Sequence, residues 1–255
     1  MSTFSARPCK MHSSKRVIVI SALLMLALIG GGIIWLYWRC NFYHDPVLQQ
    51  LRAEGCTIEQ HSLTPVLAGV LDAPVFACGE ANRITMPIGL LSDRLAPLVG
   101  RCRQLHVLDA PNAVLSETGV LSWREIHSDL ALVLSNANLE GRCLSALGQI
   151  PRLRWLSLSN ARLTSENVRD FTALNSVVIL DLDGTGVADA DMRYVARMPS
   201  LESLDLSNTA ITTEGLANLK ASATLTYIRA ANTSLSKDDV NELKRSHPKL
   251  WLRLD

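Results

Sequence analysis

The chain has 255 residues, 19% of them charged, and its formal net charge of +1 argues against the strong positive field of a nucleic-acid-binding domain. Its six cysteines contain no Cys-x-x-Cys pair, so they give no support to a zinc or thioredoxin-type site, and they are too sparse for a disulfide-stapled fold. Aromatic residues make up 5% and leucine is abundant, which indicates an aliphatic core.

The first predicted element is a transmembrane helix over residues 17–39. The segment from Val17 to Trp38 contains no charged residue, and about 20 apolar residues are enough to cross a bilayer. The alternative is a cleaved signal peptide, whose apolar region is usually about 7–15 residues long and ends in small residues. This segment is longer and ends in Trp35, Tyr37 and Arg39. Those residue types are typical of anchors at a membrane interface and favour an uncleaved signal-anchor.

The flanking charges predict the orientation of this single-pass helix. Four basic residues and no acidic residue occur in the tail 1–16, whereas only Arg39 and Arg52 lie close on the other side. The positive-inside rule therefore predicts a cytoplasmic N-terminal tail and an extracytoplasmic (periplasmic) location for the rest of the chain.

Residues 40–80 do not follow the repeat that comes after them and are predicted to form the N-terminal cap of that repeat domain. Asp45-Pro46 followed by apolar residues and Gly55 predicts a short helix. Cys56 and Cys78 both lie in this segment. A disulfide between them is one interpretation, because the compartment should be oxidising, and a pair of small buried thiols is the other.

From residue 81 to residue 255 the sequence repeats every 24 residues. One row reads Leu153-x-x-Leu156-x-Leu158-x-x-Ala161-x-Leu163. The same pattern starts again without gaps at Val177, Leu201 and Leu225; earlier rows contain Leu105 and Leu132, and a fainter one lies near Ile84 and Met86. The repeat domain therefore holds about six to seven repeats. A last partial row, 250–254, predicts a terminal strand that is not capped by a helix.

The second half of each row has the pattern of a helix. Apolar residues recur three apart on one helical face, as in the pairs Leu144/Leu147, Val168/Phe171, Met192/Val195, Leu216/Leu219 and Val240/Leu243. Residues typical of helix starts precede these pairs, among them Thr164, Asp189, Thr212 and Ser236. Each row therefore predicts a short strand, a turn and a returning helix.

These rows resemble the leucine-rich-repeat family, whose signature is L-x-x-L-x-L-x-x-N/C-x-L with a period of 20–29 residues. The resemblance covers residues 84–255 and implies an α/β solenoid with a parallel sheet on its concave face and helices on its convex face. The family's Asn/Cys position is occupied by Thr185, Thr209 and Thr233, and by alanine upstream. A threonine hydroxyl can replace part of the expected turn hydrogen bonding, but an alanine cannot. The threonine form with I-T-x-E-G-L at 211–216 looks like bacterial members, which implies a bacterial envelope protein.

The residues between the inward-pointing leucines should face solvent on the concave sheet, where they form columns. Large apolar groups and charges meet on this face, and aromatic and arginine residues are enriched at interface hot spots. The candidate partner-binding residues are Trp155, Ile179, Asp181, Asp183, Asp205, Tyr227, Arg229 and Trp251. The alternative is that the charges only solvate the sheet, with neighbouring rungs pairing their aspartates and arginines.

Nothing in the sequence indicates an enzyme. The six histidines lack metal-ligand spacing, and there is no Gly-x-Ser-x-Gly elbow, phosphate-binding loop or HExxH motif. No cofactor or metal is expected. The sequence predicts a membrane-anchored protein-protein interaction module with a protein partner. The alternative is a structural envelope component that self-associates through the membrane helix or the terminal strand. A third interpretation is an accessory subunit of a membrane enzyme.

Overall fold

A computed structural model describes residues 46–62 and 76–254, which belong to one compact unit. The predicted tail 1–16 and the predicted transmembrane helix 17–39 lie outside the described residues. Within residues 46–62 and 76–254, no helix is long and apolar enough to cross a membrane.

The architecture is a solenoid of the leucine-rich-repeat type, with strands on one side and short helices on the other. The strands are β1 (Thr57–Ser62), β2 (Phe76–Thr85), β3 (Val107–Asp109), β4 (Val114–Leu115), β5 (Leu130–Val133), β6 (Asn138–Leu139), β7 (Leu153–Ser157), β8 (Ile179–Asp181), β9 (Ser203–Asp205), β10 (Tyr227–Arg229) and β11 (Trp251–Arg253). The main sheet of the described residues has nine strands in the order β1-β2-β3-β5-β7-β8-β9-β10-β11, and β4 pairs with β6 in a small second sheet.

The helices return the chain from the end of one strand to the start of the next. They are α1 (Pro46–Ala53), α2 (Ala96–Gly100), α3 (Glu117–Leu121), α4 (Cys143–Leu147), α5 (Ser165–Arg169), α6 (Met192–Val195), α7 (Thr213–Leu219) and α8 (Lys237–Ser246). Short 3₁₀ helices extend three of these rungs, at Ser122–Glu125, Asp170–Ala173 and Asp189–Asp191. All five apolar pairs predicted to mark the helical face are buried.

The strand register confirms the 24-residue period. Trp155 pairs with Ile179, Ile179 pairs with Ser203, and Ser203 pairs with Tyr227 in parallel strands. The faint first row is confirmed as well, because Ile84 in β2 pairs with Leu108 in β3 and both are fully buried. The leucines of successive rungs therefore stack into one continuous core.

The cap contains the predicted short helix, and also an element that the sequence analysis did not predict. Helix α1 buries Leu48 and Leu51, and Gly55 follows it with a φ of 87°, which favours glycine. Strand β1 then runs antiparallel to β2, and β2 continues across the predicted boundary at residue 80 into the repeats. The cap therefore closes the first rung by adding a strand to the repeat sheet.

The strand register does not bring Cys56 and Cys78 together. Thr57 pairs with Thr85, so Cys56 lies at the β2 end that leads into the repeats, whereas Cys78 lies between the partners of Gln60 and Ser62. At about 3.4 Å per residue the two cysteines are separated by more than about 13 Å along the strands, beyond the reach of a disulfide. Cys56 is a buried free thiol, and the side chain of Cys78 lies outside the described atoms.

The turn after each strand depends on an asparagine column that the sequence analysis missed. Five asparagines have a left-handed backbone with φ of 54–56°, and Gly184, with φ of 64°, has the equivalent position in a sixth rung; the asparagines are Asn112, Asn136, Asn160, Asn208 and Asn232. Asparagine tolerates this conformation better than other non-glycine residues. These six residues recur every 24 positions in the sequence, which is the signal that could have revealed them.

The threonines at the family's Asn/Cys position make part of the expected turn hydrogen bonding. The Thr185 hydroxyl donates to the Leu182 carbonyl at 2.7 Å, and the Thr209 hydroxyl donates to the Leu206 carbonyl at 2.5 Å. Both threonines are buried. The hydroxyl thus donates a hydrogen bond to a carbonyl in the turn that accepts none from the neighbouring strand.

One residue predicted at a helix start makes different hydrogen bonds. Thr164 and Ser236 accept hydrogen bonds from the first turns of α5 and α8, as predicted. The carboxylate of Asp189 instead accepts from the backbone N–H of Thr212 at 2.8 Å and from its hydroxyl at 2.6 Å. Asp189 therefore joins one repeat to the next, and Asp191 caps its own rung by accepting from the Ala188 N–H.

Close approach between successive helical segments requires glycine at Gly148, the C-terminal cap of α4. A Cβ at this position would overlap the carbonyl oxygen of Ala173 and lie 2.7 Å from its carbonyl carbon. We expect Gly148→Ala to lower the free energy of unfolding by about 1–3 kcal/mol, the usual cost of forcing extra volume into a packed interior. Urea unfolding followed by circular dichroism measures the change.

Gly186→Ala is the matched control, because nothing lies within 4 Å of a Cβ at Gly186 and its backbone is not left-handed. We expect this control to change stability by less than about 0.5 kcal/mol. Equal midpoints for the two variants would contradict the packing of α4 against the following rung.

Candidate protein-binding face

The strand register places one exposed apolar column along the sheet. We call Trp155, Ile179, Tyr227 and Trp251, with Ser203 between Ile179 and Tyr227, the aromatic column. Trp155 is 44% exposed, Ile179 39% and Trp251 74%, and Tyr227 is half-buried. The structure therefore brings together the four apolar residues that the sequence analysis selected.

The exposure of this column follows from the alternation of the strands. In β7 the side chain of Leu156 points into the core and is fully buried, so the preceding Trp155 lies on the other face; in β8 the buried Leu180 separates Ile179 and Asp181 in the same way. Val107 and Ala131 precede Trp155 in the same register and are half-buried. The result is a run of apolar side chains on the surface that does not contribute to the internal core.

Asp181 is held rigidly at the end of β8 by uncharged donors. Its carboxylate accepts from the Ser157 hydroxyl at 2.8 Å, from the Ser159 hydroxyl at 2.6 Å and from the backbone N–H of Asp183 at 2.9 Å. Ser157 and Ser159 belong to the preceding rung. The side chain is therefore fixed in position beside the aromatic column.

The other two predicted aspartates differ in their hydrogen-bond partners. The Asp183 carboxylate accepts from the Asn208 side-chain amide at 2.6 Å, whereas Asp205 forms a salt bridge with Arg229 at 3.3 Å. The Asp205–Arg229 pair supports, for these two residues, the alternative that neighbouring rungs pair their charges. Asp181 and Asp183 form no salt bridge with any part of the chain that the structure describes.

A cluster of charged residues lies at the opposite, amino-terminal end of β7. Arg152, which precedes β7, and Arg154 within it both contact Asp129, at 2.9 and 3.4 Å. The hydrogen bond from Arg152, and then the contact with Arg154, holds the pKa of the Asp129 carboxyl below its usual range. These groups are exposed, so the cluster contributes little to stability.

The described residues offer little for covalent or metal chemistry. Burial raises the pKa of the Cys143 thiol to about 12, and burial also raises the pKa of the Cys56 thiol, so both stay protonated at neutral pH. Among residues 46–62 and 76–254, no group of three His, Cys, Asp or Glu side chains could hold a metal ion.

No protein-family model and no curated protein matches the chain. Among solved structures, it is similar to internalin C2 from Listeria monocytogenes, with 18% identity and a TM-score of 0.47 over 68% of this chain and 70% of that one. A second internalin from the same organism has 15% identity and a TM-score of 0.42, over 68% of this chain and 54% of that one. A leucine-rich-repeat protein from Leptospira interrogans has 14% identity and a TM-score of 0.32, over 69% and 58%. The chain spans little more than half the length of the last two.

The aromatic column should contribute little to folding. We expect Trp155→Ala to lower the free energy of unfolding by about 1 kcal/mol or less, because the side chain is largely outside the core. Leu156→Ala, its fully buried neighbour, should cost about 2–5 kcal/mol. Urea unfolding of the two variants tests this, and a Trp155 variant as unstable as the Leu156 variant would place Trp155 in the core.

Proposed function

We propose that this protein is a membrane-anchored, non-enzymatic interaction module that presents the aromatic column and its neighbouring charges to a protein partner outside the cytoplasm. The observation that carries the proposal is the register of the sheet, which aligns Trp155, Ile179, Tyr227 and Trp251 on one exposed face. Clusters of exposed apolar side chains that are rimmed by polar residues are typical of interaction sites.

The proposed anchor and location rest on the sequence. The uncharged segment from Val17 to Trp38 is long enough to cross a bilayer, and the basic tail before it favours a cytoplasmic N-terminus. A module held at a membrane meets its partner at a raised local concentration. A moderate affinity at the sheet face would therefore be sufficient for binding.

Site-specific photo-cross-linking tests the face. A photoreactive residue at position 179 should form an adduct with a partner in whole cells, and the same residue at position 114 should not. Val114 is a suitable control because it is also apolar and 45% exposed but lies outside the aromatic column. The adduct at position 179 should disappear in the Trp155→Ala/Tyr227→Ala variant.

An adduct made of two copies of this chain would favour the structural envelope component instead of the interaction module. Equal adducts at positions 179 and 114, or an adduct at 179 that survives the double substitution, would overturn the proposal.

Membrane fractionation tests the anchor. The full chain should stay with membranes after alkaline carbonate extraction, because a spanning helix is held by the burial of its apolar side chains. A variant that lacks residues 17–38 should be released. External protease should degrade the repeat domain of the full chain in spheroplasts, and its protection there would contradict the proposed orientation.

A further inference from the structure

The aromatic column is interrupted at one rung. Trp155 and Ile179 stand on β7 and β8, Tyr227 stands on β10, and the intervening position on β9 is the small Ser203. Adjacent rungs are about 4.8 Å apart, so Trp155 and Tyr227 are separated by about 14 Å. The face therefore offers a shallow gap between two aromatic side chains, with Ile179 beside it.

The two rungs between Trp155 and Tyr227, those of β8 and β9, are acidic. Residues 178–184 and 202–208 contain four carboxylates and no lysine or arginine, although the whole chain has a net charge of +1. The four acidic residues are Asp181, Asp183, Glu202 and Asp205. Of these four residues, only Asp205 forms a salt bridge within the part of the chain that the structure describes, and its partner is Arg229. The negative charge is therefore local to this part of the sheet.

Two of these carboxylates face each other across adjacent strands. Asp181 and Asp205 are direct partners in the register of β8 and β9. Like charges at directly opposite positions destabilise a sheet. Arg229 relieves part of this repulsion from the side of Asp205, but Asp181 is bound only by hydroxyl and amide donors. A cation supplied from outside would offset what remains.

We infer that the occupant of this face is a segment of the partner protein that carries lysine or arginine beside aliphatic residues. This inference rests on the proposed function and names the chemistry of its partner. The aliphatic side chains would pack on Trp155 and Ile179. The cation would lie at the carboxyl-terminal side of the Ser203 gap, where Asp181 and Asp183 provide its counter-charge.

The geometry favours this class of partner over an acidic one. An acidic segment would add further negative charge beside four carboxylates, and like-charge contacts of this kind suppress binding. A purely aliphatic segment would desolvate Asp181 and Asp183 without giving them a cation, which costs free energy. A basic segment is the only one of these three that gains from both the apolar and the acidic parts of the face.

Fluorescence anisotropy with three labelled peptides tests the inference on the full chain in detergent. The probes are ten-residue peptides that alternate leucine with arginine, with serine or with glutamate. The leucine-arginine peptide should bind most tightly, and added salt should weaken it. Asp181→Asn/Asp183→Asn should raise its Kd roughly fivefold, as expected for two partly exposed ion pairs of about 0.5 kcal/mol each.

Glu166→Gln/Glu214→Gln is the matched control, since it also removes two charges and both residues are exposed on the helix side. It should leave the Kd unchanged. Each variant should show the circular dichroism spectrum and unfolding midpoint of the parent, which separates lost binding from lost folding.

The inference is overturned if the leucine-serine or leucine-glutamate peptide binds as tightly as the leucine-arginine peptide, if the aspartate variant binds like the control, or if no peptide binds. The photo-cross-linking experiment at position 179 tests the proposed function independently of the peptides. If an adduct forms at position 179 but the peptides give one of these contrary results, the binding face is still supported and only the basic character of the partner is rejected.

Discussion

The structure depends on backbone hydrogen bonds between neighbouring rungs. Beyond the strands themselves, the Leu158 N–H donates to the Asp181 carbonyl at 2.9 Å, and the Leu182 N–H donates to the Asp205 carbonyl at 2.9 Å. The same bond recurs at the other rungs, and the residue two positions later makes a second one. Because every rung is fixed to the next with a shift of 24 residues, each side chain lies beside its counterpart 24 positions away. The core and the sheet face both follow from this constraint.

The sequence was sufficient to predict the features that repeat every 24 residues. The buried leucines, the helical pairs and the membership of the aromatic column all repeat at one spacing, so one correct register places them all. Strand β1 could not be found in this way, because its sequence, TIEQHS, is polar and lies outside the period. Asp189 marks a helix start as predicted, since a 3₁₀ helix begins at this residue. The hydrogen bonds of its carboxylate with Thr212 of the next rung could not be predicted, because they depend on how the rungs stack.

The sequence predicts which residues lie on the candidate binding face, but it does not predict which of their charges pair with each other. Sequence columns place Asp181, Asp205 and Arg229 at equivalent positions, yet they do not show which aspartate the arginine reaches. The structure shows that Arg229 pairs with Asp205 on the adjacent rung and that, within residues 46–62 and 76–254, Asp181 receives only serine hydroxyls and a backbone amide. Side-chain rotamers decide this, and they are not encoded in a periodicity. The resulting imbalance is the reason for proposing a recognition face instead of a uniformly solvated sheet.

The glycine at position 184 affects how the neighbouring Asp183 carboxylate is bound. In the neighbouring rungs an asparagine has this position, and the Asn232 side chain donates to Asn208 at 3.0 Å. At Gly184 there is no amide to continue the chain, and the space is taken by the Asn160 side chain, which a Cβ at Gly184 would overlap. Asn208 donates instead to Asp183 at 2.6 Å. The asparagine chain therefore ends on a carboxylate and fixes it at the edge of the sheet through a neutral donor, which leaves its charge unpaired within the described chain. A break in the repeat thus coincides with the acidic part of the face, and the same hydrogen bonds that stack the rungs hold that charge in place.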